Sequence, residues 1–250
     1  ALSEEQQMIK DQASAWVREQ APVSTFRAMR DQDLAQGFFS ETWQAMIEMG
    51  WTGLVVPETY GGAGLGYQTL GLVLEQLGRN LVASPLYASS VVGAAALMHS
   101  GSEDQKQALL PKIADGGRLV VLALEEGPRH NPSQIKCRAE MTSSGVTLSG
   151  TKQFVMEGNA ATDFVVAANV DHGAGEQGVG LFLVACNTPG VRRHAVKTMD
   201  SRGYASVTFD DVALDLEAML AGPDTGQAVL EAVLDVATAA LAAEMLGTAA

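Results

Sequence analysis

Apolar residues recur at helical spacing through the first part of the chain, and each run has its own start and stop signals. Leu2 to Gln20 carries Met8, Ile9, Ala13, Trp16 and Val17 on one face. Ser3 and Gln6 form a capping-box pattern ahead of it, and Pro22 marks its end. A second helix is expected from about Glu41 to Met49, with Ser40 as its N-cap and Gly50 as its stop. Leu70, Val73, Leu74 and Leu77 form a third stripe, ended by Gly78. Pro85 opens a helix through Met98. Ser102 and Gln105 form a second capping box before Leu109, Leu110 and Ile113, and Gly116-Gly117 ends that helix.

The period then changes from helical to short apolar runs. Leu119 to Leu124 is the first. Strand-like stretches follow at Cys137–Met141, Val146–Ser149, Gln153–Met156, Phe164–Ala168, Val179–Val184, Val191–Val196 and Ala205–Phe209. Asn, Gly and Asp turns separate them, which is the spacing of a small barrel or sandwich. After Gly222-Pro223-Asp224 a last helix carries Val229, Val233, Val236, Ala240 and Leu241 on one face. The expected fold is α+β. It has a helical N-terminal domain over 1–118, a β-barrel-like middle domain over 119–221, and the first helix of a C-terminal bundle over 222–250. That last helix runs to Ala250 without a stop signal, as in a piece of a longer protein. Its broad Ala/Leu/Val face predicts self-association or a sister subunit.

With 250 residues, 47% of them hydrophobic, the chain can bury a large core. The longest apolar run, Leu86 to Met98, is too short for a membrane span. Cys137 and Cys186 fit buried thiols in a cytoplasmic protein, not a disulfide scaffold. The net charge of −13 argues against nucleic acid as a partner.

The most specific wording is Gly150-Thr151-Lys152-Gln153-Phe154-Val155-Met156-Glu157-Gly158-Asn159-Ala160-Ala161. By residue type alone it is a strand followed by a turn. Alternation would place Lys152, Phe154 and Met156 on one side, and Gln153, Val155 and Glu157 on the other. The stretch resembles the "G-x-K-x-[W/F]-[I/V]-[T/S]-N-G-x-x-A" segment of the acyl-coenzyme A dehydrogenase family. Pro57-Glu58-Thr59-Tyr60-Gly61-Gly62-Ala63-Gly64 resembles that family's "P-E-x-Y-G-G-x-G" loop. Met199-Asp200-Ser201-Arg202 and Phe209-Asp210-Asp211-Val212 resemble its "M-G-x-R … F-x-D-V".

The resemblance implies a cofactor, FAD, whose ring lies against Phe154, Val155 and Met156. The backbone of Leu122, Ala123, Leu124 and Glu125 would run along the flavin pyrimidine. Met156 stands where the family has a hydroxyl that bonds the flavin. Glu125 stands for the usual Thr of "A-x-T-E-P-x-A-G-S-D", and Asn131, in place of Ser, is the candidate substrate contact. Ala123 and Glu126 keep the family wording. His130 and Arg129 read as solvated loop residues or phosphate contacts, Arg202 as a structural or subunit contact, and Glu244 as a paired or solvated acid. Some family members place the catalytic base where this chain has Ala237, so no catalytic residue is assigned. The implied activity is α,β-dehydrogenation of an acyl-coenzyme A thioester, with an electron-transfer flavoprotein as acceptor and a homo- or hetero-oligomeric assembly. The alternative is a non-catalytic, FAD-poor subunit of a mixed oligomer.

Overall fold

The computed structural model describes residues 2–171 and 177–250. Helix α1 (Glu4–Gln20) starts at the expected capping box: Ser3 Oγ accepts from the Gln6 backbone N–H, and Gln6 Oε1 from that of Ser3. The same reciprocal pair, Ser102 with Gln105, starts the helix Glu103–Ala114. Pro22 both ends α1 and caps a further helix, α2 (Val23–Asp31), which the hydrophobic pattern did not reveal. Only Met29 of α2 is fully buried, so it leaves no stripe to read. In α3 (Ser40–Glu48), Ser40 is the first helical residue, and the cap is Phe39, which makes no side-chain cap bond. Helix α4 (Gly66–Arg79) passes through Gly78. After Pro85 a π-helical segment (Leu86–Gly93) continues into α5 (Ala94–Ser100), and α6 is Glu103–Ala114.

Among the described residues eight strands follow: β1 (Val120–Ala123), β2 (Arg138–Met141), β3 (Val146–Val155), β4 (Asp163–Asp171), β5 (Gln177–Ala185), β6 (Val191–Ala195), β7 (Ala205–Leu214) and β8 (Met219–Ala221). They form one mixed sheet in the order β6-β7-β3-β2-β4-β5-β8, with β1 added parallel to β4. Where the pattern gave two stretches, β3 is a single strand whose pairing with β7 shifts register twice. Three residues are too few for β8 to show in the pattern.

The sheet curls like a barrel wall. Phe164 of β4 and Phe209 of β7 meet edge-on, with ring centroids 6.2 Å apart. In a flat sheet the two intervening strands would hold them about 14 Å apart. Strand β4 is buried on both faces, which explains its unbroken apolar run. Val165 and Ala167 pack with the helices. Phe164, Val166 and Ala168 fill the inside of the curl.

Helix α7 (Gly226–Ala249) returns across the helical layer and lies on α4. The crossing is close because two glycines face it. A Cβ at Gly78 would come within 2.0 Å of the Glu244 carbonyl oxygen, and one at Gly247 within 1.8 Å of the Glu75 oxygen. Gly78 thus serves helix contact and not helix termination. The buried face of α7 is Gly226, Leu230, Val233, Ala237, Ala240 and Gly247. Of the expected face, Val233 and Ala240 are buried, Val229 and Val236 half-buried, and Leu241 exposed. A helix apolar nearly all round carries little phase information. Among the described residues no helix is long and apolar enough to cross a membrane.

Candidate functional site

A slot of about 180 Å³ opens where the π-helical segment, the end of β1, the end of β3 and α7 converge. Tyr87, Ala88 and Val92 come from the first of these, and Leu122, Leu124 and Glu125 from the second. Phe154 and Met156 come from the third, Leu234 and Ala237 from α7, and His130 from a loop at the mouth.

A β-bulge builds the slot. Lys152 pairs with Val207, but the next register pair is Val155 with Ala205, so Gln153 and Phe154 together oppose Ser206. Phe154 takes φ +49°, an uncommon backbone state for an aromatic residue. The bulge breaks the expected alternation. Lys152 turns fully inward and Phe154 outward, with 40% of its surface exposed. Val155 then returns to the core.

Lys152 is the anchor of the rim. Its ammonium donates to the Leu124 carbonyl at 3.0 Å and to Glu126 Oε1 at 2.6 Å. Glu126 also accepts from the backbone N–H groups of Lys136 and Cys137, at 2.7 and 2.9 Å. One buried carboxylate thus ties β1, β3 and the loop before β2 together. Burial pushes the neighbouring Cys137 thiol up to about 11. Glu125, beside this pair, has both oxygens engaged. Oε1 lies 2.6 Å from His130 Nδ1, and Oε2 accepts from the Asn131 backbone N–H at 3.0 Å.

Five of the expected cofactor contacts, Leu122, Leu124, Glu125, Phe154 and Met156, line the slot together. Ala123 and Val155 belong to the core inside the curl. Asn131 lines a separate polar pocket of about 220 Å³, with Glu125, Arg129 and Lys136 among its walls. Ala237 lines the slot as an apolar wall.

Among the slot residues that had no reading as slot contacts in the sequence, two carry polar groups: Tyr87 and His130. Tyr87 donates its hydroxyl hydrogen bond to the Ala237 carbonyl at 3.1 Å and so joins two slot walls. Burial, with a smaller contribution from Glu244, pushes this phenol up to about 12. Its signal in the sequence was one polar-tipped ring at the start of a helix of small and apolar residues. Among the described residues no group of acidic, His and Cys side chains could hold a metal ion.

The family model "Acyl-CoA dehydrogenase, N-terminal domain" matches residues 3–117. The mitochondrial 2-methylacyl-CoA dehydrogenase of Solanum tuberosum is 30% identical over 213 residues, covering 82% of this chain and 51% of that protein. The chain belongs to the acyl-CoA dehydrogenase family. Among solved structures, the Tcur3481-Tcur3483 steroid ACAD, in a variant form, superposes with a TM-score of 0.84 at 31% identity, covering 98% of this chain and 63% of that one. The ChsE4-ChsE5 complex from Mycobacterium tuberculosis has a TM-score of 0.86 at 28% identity, covering 99% and 64%. Helices, then a mixed sheet, then a helix is the order of the acyl-CoA dehydrogenase fold. The chain spans about half the length of the curated relatives it matches.

Proposed function

We propose that this chain supplies the flavin- and acyl-binding walls of a flavin-dependent acyl-CoA dehydrogenase, which converts an acyl-CoA thioester to the trans-2-enoyl-CoA. Its working parts would be a helical domain over 1–118, a β-domain over 119–221 and the first bundle helix over 222–250. The observation that carries the reading is the slot itself. It brings the 122–125 segment and the 154–156 segment, thirty residues apart in sequence, onto one apolar cleft.

The slot residues fit FAD. Phe154 presents a ring beside Met156 and Leu122, suited to one face of a planar heterocycle. The carboxylate of Glu125 stands in the same cleft with one hydrogen bond on each oxygen, which offsets part of the cost of a charge beside the ring. Bound FAD would supply the acceptor for the hydride leaving the β-carbon. The chain's own part is to orient and to exclude water. Tyr87, Leu234 and Ala237 form the apolar wall facing Phe154 and Met156. Proton removal from the α-carbon needs a base. The methyl of Ala237 is not one, and Glu125 is already engaged. An electron-transfer flavoprotein is the proposed electron acceptor, and a homo- or hetero-oligomer the proposed assembly.

A second reading, a non-catalytic subunit of a mixed oligomer, has its own support. Met156 offers no hydroxyl, Glu125 puts a carboxylate in the cleft, and one structure of similar fold is the ChsE4-ChsE5 complex. The visible spectrum of the purified full-length protein separates the two. Flavin absorption in the blue supports the first; a colourless protein with no FAD affinity leaves the second.

The side chain at 156 gives a finer test. Restoring a hydroxyl by Met156→Thr adds one neutral hydrogen bond, worth about 0.5–1.5 kcal/mol. Flavin affinity is then expected to rise by about two- to tenfold. A titration in which Met156→Thr binds FAD no better than the parent would count against this placement of the ring.

A further inference from the structure

A second ionic cluster lies buried outside the slot, where three parts of the chain meet. Arg202, in the connection between β6 and β7, donates from Nε to Glu157 Oε1 at 3.0 Å. Its Nη1 reaches Glu244 Oε1 on α7 at 3.5 Å, and its Nη2 the Ser84 carbonyl at 3.2 Å. Glu157, on the β3–β4 turn with φ +55°, is fully buried. Its second oxygen makes no hydrogen bond, although the Gly203 backbone amide helps to hold the charge. The cluster grips both sides of the slot. Ser84 immediately precedes Pro85 and the π-helical segment that carries Tyr87. Glu244 lies two turns along α7 from Ala237, whose carbonyl accepts the Tyr87 hydroxyl.

The two carboxylates share the guanidinium unequally, at 3.0 and 3.5 Å. We propose that Glu157, Arg202 and Glu244 are positioning residues for the slot, and that proton uptake at Glu157 hands Arg202 over to Glu244 and draws α7 onto its neighbours.

The charges around Glu157 support this. Burial, with a smaller contribution from Asp200, raises its carboxyl to about 7 against the pull of Arg202. Asp200, Arg202 and Tyr204 face it from the β6–β7 connection; Glu244 meets Arg202 from α7, and Tyr87 lies near Glu244 on the π-helical segment. Burial pulls the Arg202 guanidinium down, and Glu157 and Glu244 more than offset it, so the cation persists throughout. With Glu157 ionised, one cation serves two carboxylates. With Glu157 neutral, the Arg202–Glu244 pair stands alone. Because the folded carboxyl sits above its ordinary range, its contribution favours the folded state at low pH and is lost as pH rises through about 7. Tightening of α7 on acidification has the same sign.

The test is amide hydrogen exchange of the full-length protein at pH 6 and pH 8, corrected for the intrinsic rate, with α6 as internal reference. Amides in the last turns of α7 are expected to exchange about tenfold more slowly at the lower pH, equivalent to one pKa unit of coupling. Glu157→Gln is expected to hold α7 in the slow state at both pH values. Glu244→Gln, at a partly exposed position, is expected to leave it fast at both. An α7 pH response no larger than that of α6 overturns the proposal, as does a full wild-type response in either variant. If Glu157→Gln does not fold, Glu244→Gln decides alone. The readout uses no flavin, so absence of FAD binding would remove the proposed function and leave this inference standing.

Discussion

Replacing Arg202 with Met is expected to destabilise the protein by about 3–5 kcal/mol, because it leaves a buried carboxylate without its counter-charge. Glu157 is fully buried, and among the described residues Arg202 is its only side-chain hydrogen-bond partner. The same substitution also frees Glu244 on α7 and the Ser84 carbonyl, so three segments lose their common donor. For a chain of this size the loss corresponds to a fall in melting temperature of about 10 °C. The loss should be smaller at pH 5 than at pH 8. Glu157 already leans toward the neutral form, with a carboxyl raised to about 7, and an acidic medium supplies the proton that relieves it. The double variant Arg202→Met with Glu157→Met should recover much of the stability, since an apolar pair of similar volume removes both the charge and its need. Melting curves of the two variants at both pH values check this. A single variant within about 2 °C of the parent at pH 8 would show that the cluster carries no such load.

The second large effect is expected at Lys152. Its ammonium is fully buried, and Lys152→Met removes the cation from Glu126, whose side chain is itself only 7% exposed. The backbone N–H groups of Lys136 and Cys137 remain as donors to that carboxylate, which limits the loss to about 3 kcal/mol. The change should not be uniform. The Leu124 carbonyl loses its donor, so the slot rim at Leu124 and Glu125 is expected to loosen more than distant strands. Denaturant unfolding gives the global loss, and hydrogen exchange over residues 124–137 gives the local one. Rim protection equal to the parent in a protein that has lost stability would contradict Lys152 as the anchor of this segment.

Much of the fold was legible because local signals agreed with one another. Both capping boxes lie where Ser and Gln stand three apart, since that pattern satisfies its own helix start whatever packs around it. The double-faced burial of β4 is written in its apolar run. The slot's constituents were legible too, but through family wording, as Phe154, Met156, Leu122, Leu124 and Glu125. Nothing in their spacing requires that they meet.

The tertiary structure decided what the sequence could not. The bulge after Lys152 depends on pairing with β7, a partner fifty residues away, so strict alternation placed Lys152 and Phe154 on one side when they lie on opposite ones. Gly78 has the chemistry of a helix stop, and only the approach of α7 makes it a contact surface. Glu157 and Glu244 are two acids among 29, and a sequence gives no distance between them. Their meeting around Arg202 comes from the convergence of a turn, a loop and a helix. Local chemistry is set by neighbours in the chain, whereas charge pairing, bulge register and close helix crossings are set by neighbours in space.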